Sequence, residues 1–170
     1  MLDVVLSNTY TSAAVQQRIA LLKEFLEHVF YGADPGGQPT LERFDAFVKE
    51  HGVELVHADA VREWGNALFA RVTAGTFYAE LNALLNELKS VPVLTLYTAV
   101  KFPVPEMARM AQQLRDHLGK TILLDDHVDP QLAVGCAFVW NGIYHDYSWS
   151  FFISRKREEL ATLVRRYGER

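Results

Sequence analysis

The sequence predicts an α+β fold, with a helical bundle over residues 1–90 followed by a small β-α-β-β-α unit over residues 91–170. Three observations predict it. Through four successive stretches before Ser90, apolar residues recur every three or four positions, the spacing of helices with one buried face. Beyond Ser90 the pattern changes to near-alternation, first in "VLTLYTAV", as in a half-buried strand. Two apolar-aromatic runs then flank Asn141-Gly142, a pair preferred in type I′ hairpin turns because both residues there must adopt positive φ.

The first helix is predicted over residues 12–31, with Val15, Ile19, Leu22, Phe25, Leu26, Val29 and Phe30 inward and Ser12 as N-cap. "GADPGGQP" then breaks the chain with three glycines and two prolines. Thr40 and Arg43 open a second helix whose face is Leu41, Phe44, Phe47 and Val48, and Gly52 closes it. A third spans residues 58–72, with Val61, Trp64, Leu68 and Phe69 inward. After Gly75, a fourth spans residues 76–90, with Phe77, Leu81, Leu84, Leu85 and Leu88 inward. Four amphipathic helices with short loops make a bundle.

In the second unit, prolines bound a strand over residues 93–100, and Pro105 opens a helix that stops at Gly119. "TILLDDHV" reads as the next strand and "GCAFVW-NG-IYHDYS" as a hairpin. Strand alternation puts Cys136, Phe138 and Trp140 on one face, Ala137 and Val139 on the other. A last helix is predicted over residues 149–167, with Phe152, Ile153, Leu160, Leu163 and Val164 inward.

At 170 residues and 49% hydrophobic, the chain can bury a core. Its net charge of −4 lacks the basic excess of a nucleic-acid binder. Up to Ser90 there are 7 basic and 12 acidic residues; beyond it, 10 and 9. That contrast suits two units with different surfaces. A single cysteine forms no internal disulfide and points to a reducing compartment. No basic segment leads into an apolar run at the start, and nothing nears the roughly 18 apolar residues of a membrane helix, so a soluble protein is expected. Walker, G-x-G-x-x-G and G-x-S-x-G patterns are absent, and no cofactor is expected.

The polar residues of "DDHVDPQLAVGCAFVWNGIYHDYS" have structural readings. Asp129-Pro130 ends a strand, because the ring fixes φ and removes a ladder donor. Gly135 permits a bulge or a positive φ. Asp146 or Ser148 caps the last helix. The competing reading is a metal site. Asp125, His127 and Asp129 alternate along one strand face, and His145 and Asp146 join them from the hairpin to hold a divalent ion, as in a small metal-dependent hydrolase. Their spacing matches no established metal motif. Cys136 reads as a small buried apolar residue. "SRKREELATLVRR", with Arg155 and Arg157, reads either as a solvated helix face or as a docking face for an acidic helix.

One arrangement in this stretch is distinctive as an ensemble. Asp129-Pro130-x-Leu132-x-x-Gly135 is followed by ten residues that turn at Asn141-Gly142, then by Asp146-x-Ser148 and a basic helix. This resembles the C-terminal motif of the delta subunit of F-type ATP synthases, whose mitochondrial counterpart is the oligomycin-sensitivity-conferring protein. The detailed likeness covers roughly the last 80 residues, and the order of elements is similar throughout. Val134 and Tyr147 stand where that family commonly has glycine, and the family's Tyr-Ala-x-Ala-Leu opening is missing.

The resemblance implies a peripheral-stalk (stator) subunit with no catalytic residue and no metal. The bundle would hold N-terminal helices of the alpha subunit, and the second unit the C-terminus of the stalk's b subunit. In a bacterium the protein would lie at the cytoplasmic face of the cell membrane, meeting the membrane only through the complex. An amphipathic helix docks through anchors at helical spacing, and Ile19, Leu22, Leu26, Leu81, Leu85 and Leu88 are the candidate anchors in the bundle. The remaining alternative is a generic adaptor such as a V-type stalk relative. That relative would carry a long heptad helix; the longest helix predicted here has about 20 residues.

Overall fold

In the computed structural model, residues 1–32 and 37–168 are described. Residues 33–36, most of the expected break, lie outside the described residues. Among those described, eight α-helices and one four-stranded sheet form, so the chain is α+β.

The helical part opens with α1 (Leu2–Ser7), too short to show a period in the sequence, and continues with α2 (Ser12–Tyr31), α3 (Leu41–His51), α4 (Leu55–Leu68) and α5 (Phe77–Lys89). Caps set several of these bounds. Thr11, not Ser12, caps α2, its hydroxyl accepting from Ala14 N at 3.2 Å. Thr40 caps α3 in the same way, accepting from Arg43 N at 3.2 Å. Gly52 ends α3 at φ 62°, a left-handed conformation that glycine adopts without a β-carbon penalty. Helix α4 starts three residues earlier than its apolar pattern predicts and stops at Leu68, with Phe69 in a following turn.

Helix α2 is the axis of the core. Phe25, Leu22 and Leu26 on it are fully buried, together with Phe44 of α3, Trp64 of α4 and Phe77 of α5. The Phe25 ring meets Phe44 edge-on at 5.1 Å and Phe69 at 5.2 Å. Full burial of side chains of this size contributes about 1.5–3 kcal/mol each before entropy is charged against it.

The sheet comprises β1 (Val93–Thr98), β2 (Leu123–Val128), β3 (Gly135–Trp140) and β4 (Ile143–Ser148) in the order β2-β1-β3-β4. Strands β1 and β2 are parallel and joined through α6 (Val104–Leu118); the β1–β3 and β3–β4 pairs are antiparallel. Met107 and Ala111 of α6 cover one sheet face, over Leu94, Leu96 and Leu124, with Ile122 completing the cluster. Cys136, Phe138 and Trp140 share that face, partly buried, as alternation predicts. Leu123 points the other way and packs into the helical core. Leu124 N–H also donates to Tyr10 O at 2.9 Å, a bridge between the α1–α2 link and the edge of the sheet.

The last helix departs from expectation. It is split at Lys156 into α7 (Trp149–Arg155) and α8 (Arg157–Gly168). Phe152, Ile153 and Val164, predicted inward, are exposed, because among the described residues no element covers them; no α7 residue is buried. The side chains of Leu160 and Leu163 lie outside the described ones.

Candidate functional site

Six of the eight motif residues line one end of the sheet, from the close of β2 to the close of β4. Strand β2 ends where Asp129 N–H donates to Thr98 O at 2.8 Å. The Asp129 carboxylate then accepts from Gln131 N at 3.0 Å and caps a single 3-10 turn, Pro130–Leu132, whose first position tolerates proline because its N–H is not needed. Leu132 is buried beneath that turn.

The chain re-enters the sheet at Gly135 with φ 99°. A β-carbon there would drive into the carbonyl oxygen of Tyr147 and lie 2.9 Å from Ser148 Cα. Gly135 pairs with Ser148 across the hairpin, and Trp149 N–H donates to Val134 O at 2.9 Å. The two candidate caps divide the work. Asp146 accepts from Ser148 N at 2.8 Å and fixes the strand end, while Ser148 Oγ accepts from Phe151 N at 3.2 Å and caps α7. Ser148 is buried, so its hydroxyl is positioned by the fold rather than by solvent. Asn141 and Gly142, at φ 50° and 77°, make the predicted tight turn at the far end of the hairpin.

The proposed metal constellation does not assemble. His127 Nε2 pairs with Asp125 at 3.0 Å, and its ring stacks on Tyr97. His145 is directly opposite Phe138 and stacks on it, on the α6 side of the sheet; Asp125 and His127 face the other way. Strands β2 and β4 are the two outer strands, with β1 and β3 between them, so Asp146 is roughly 14 Å across the sheet from Asp125. Asp129 is already engaged in its turn. Among the described residues no three His, Cys, Asp or Glu side chains are grouped to hold a metal.

The predicted bundle anchors are mostly core. Ile19, Leu22, Leu26, Leu81 and Leu88 are buried in the helical cluster, because α2 and α5 need these positions to pack at all; Leu85 alone is exposed. Tyr78 and Tyr31 join it as exposed apolar surface of the bundle. The Tyr78 hydroxyl donates to Glu27 at 2.6 Å, which raises its pKa. Arg155 and Arg157 are exposed, beside the uncovered Trp149, Phe152 and Ile153.

A polar knot at the junction of helices and sheet has little signature in the sequence. Arg115 of α6 donates to Leu6 O at 2.7 Å, to Thr9 O at 2.8 Å and to Ile122 O, with its guanidinium over the Tyr10 ring. Arg18 of α2 donates to Asn8 O and Thr9 Oγ1. Asn8 in turn accepts from Trp64 Nε1 at 3.0 Å and donates to Glu63 at 2.6 Å. Burial lowers the pKa of both arginines, opposed at Arg18 by Glu63 and Tyr10 and at Arg115 by Tyr10. One signal is visible: Arg18 falls between Val15 and Leu22 on an otherwise apolar helical stripe. Compared with known protein families, the chain matches no family's profile, and no curated protein matches it.

Proposed function

We propose that the protein is a non-catalytic stator component of a rotary F-type ATP synthase, linking the N-terminal helices of the alpha subunit to the end of the peripheral-stalk b subunit and resisting torque. One observation carries this reading. Asp129, Pro130, Leu132, Gly135, Asp146 and Ser148, the residues of the resemblance, each hold a separate part of the one end of the sheet from which the terminal helices start. Residues that merely recur in hairpins have no reason to be spaced along the chain so that strand end, re-entry, strand exit and helix cap all fall at one end of the sheet.

The uncovered apolar side of α7, flanked by Arg155, Lys156 and Arg157, suits an acidic amphipathic stalk helix. On the bundle, Tyr31, Tyr78 and Leu85 supply exposed apolar surface for a helix of the alpha subunit in place of the buried leucines. No helix among the described residues is long and apolar enough to cross a membrane, and attachment through the complex, peripheral at the cytoplasmic face in a bacterium, accords with that.

The test is a calorimetric titration of the intact chain with a peptide of the alpha subunit's N-terminus from the same source, using a scrambled peptide as control. One-to-one binding, weakened by Leu85→Asp with folding intact, is expected. Equal heats from the true and scrambled peptides would overturn the assignment of this partner.

A further inference from the structure

A cavity of about 440 Å³ opens between the start of α2, the start of α4 and the β1–α6 connection. That size suits a small ligand. Its wall includes Arg18 and His57, and each has one buried polar atom without a partner, Arg18 Nε and His57 Nδ1. Arg18 is only 7% exposed. Its Nη1 is committed to Asn8 O at 2.8 Å and Thr9 Oγ1 at 2.6 Å, and among the described residues no carboxylate pairs with it.

This leaves the Nε–Nη2 edge of the guanidinium unengaged, the edge that takes both oxygens of a carboxylate in a planar fork. Glu63 offsets this charge only in part, since burial still outweighs it; a buried cation so placed is costly, and an anion in direct contact recovers part of that cost. The rest of the wall narrows the ligand. Met107 is buried, Phe102 half-buried and Val104 exposed at the mouth, an apolar strip beside the cation. Lys101 adds a second positive charge at the surface; Glu54 and Asp126 add two negative ones. A dianion such as a phosphate would meet those carboxylates, whereas a single carboxylate is balanced by Arg18.

We propose that this cavity binds a small organic monocarboxylate, its oxygens on the free edge of Arg18 and its apolar body against Phe102, Val104 and Met107. The proposal is independent of the stator reading.

The probe is isovalerate, titrated into the full chain and followed by calorimetry and by methyl shifts of Val56 and Val104. Its neutral amide, isovaleramide, and inorganic phosphate are the comparators. Saturable one-site binding of isovalerate is expected, tighter than either comparator by about tenfold or more. Arg18→Lys keeps the charge but removes the fork and should weaken binding. Because Arg18 also holds the Asn8–Thr9 backbone, Val56→Asp serves as the second variant. It sits exposed in the first turn of α4, where an acid is tolerated, and it should weaken isovalerate while leaving the circular dichroism unchanged. The proposal is overturned if isovalerate does not saturate in the millimolar range, if the amide or phosphate matches it, or if a folded Val56→Asp binds it as tightly as the unaltered chain.

Discussion

Helix α2 and the terminal pair α7 and α8 are of similar length and show apolar residues at helical spacing, yet α2 buries nine residues and α7 none. The difference lies in what surrounds them. Around α2, the helices α1, α3, α4 and α5 and Leu123 of the sheet close a single cluster. The terminal pair is held at its root, by the Ser148 cap and the Trp149–Val134 hydrogen bond, and its described side chains beyond Phe151 are exposed. Periodicity therefore identifies which face of a helix is apolar; it does not identify what covers that face, because cover is a property of the tertiary arrangement.

The largest expected effect breaks the covered side. Trp64 is fully buried against α2, and its indole N–H satisfies Asn8 Oδ1. Trp64→Ala is expected to cost about 3–5 kcal/mol from the cavity alone, with about 0.5–1.5 kcal/mol more from the lost hydrogen bond, since Asn8 Oδ1 keeps the Thr9 hydroxyl as a donor at 3.1 Å. Chemical denaturation measures it; a loss under about 1 kcal/mol would place the stability of the bundle elsewhere.

An intermediate effect is expected at the root of the terminal pair. Gly135 and Gly142 both have positive φ, but a β-carbon at Gly142 meets nothing within 4 Å, whereas at Gly135 it meets the Tyr147 carbonyl. Gly142→Ala is expected to cost about 1–2 kcal/mol of backbone strain, and Gly135→Ala more, because the β3–β4 pairing must also shift. Thermal melts of the two variants rank them, and equal losses would mean that this end of the sheet yields without resistance.

Much of this architecture is legible in the sequence, for local reasons. Thr40 acts through a hydroxyl on the next turn, and Gly52, Gly119 and Asn141-Gly142 through their own backbone geometry, and each stands where its chemistry predicts. The motif residues are legible as turn and cap formers; that they share one end of the sheet is not, since the pairing of Gly135 with Ser148 depends on register. Four features have little or no local signal. Helix α1 is too short for a period. The separation of β2 from β4 follows from β1 inserting beside β3, a long-range choice that defeats the metal reading. The split at Lys156 occurs with no glycine or proline nearby in α7 or the start of α8. Arg18 and Arg115 act on backbone carbonyls of residues 6–9, and for Arg115 the partners lie more than 100 positions away.

The smallest effect on stability sharpens the comparison most. Phe152 is half exposed, and its ring lies edge-on to that of its neighbour Phe151, with centroids 5.9 Å apart. Removing an exposed side chain changes stability by within about 0.5 kcal/mol, so Phe152→Ser should leave the denaturation midpoint in place, unlike the same change at buried Phe25. If α7 docks the last helix of the stalk's b subunit, Phe152 lies at the centre of the apolar strip with Trp149 and Ile153, where truncations weaken binding most. The same variant should then weaken a peptide of that helix by about tenfold or more in calorimetry, while a peptide from the alpha subunit binds as before. Loss of stability without loss of binding would reverse both halves of the reading: α7 would belong to the core, and the stalk contact would have to be sought on another face.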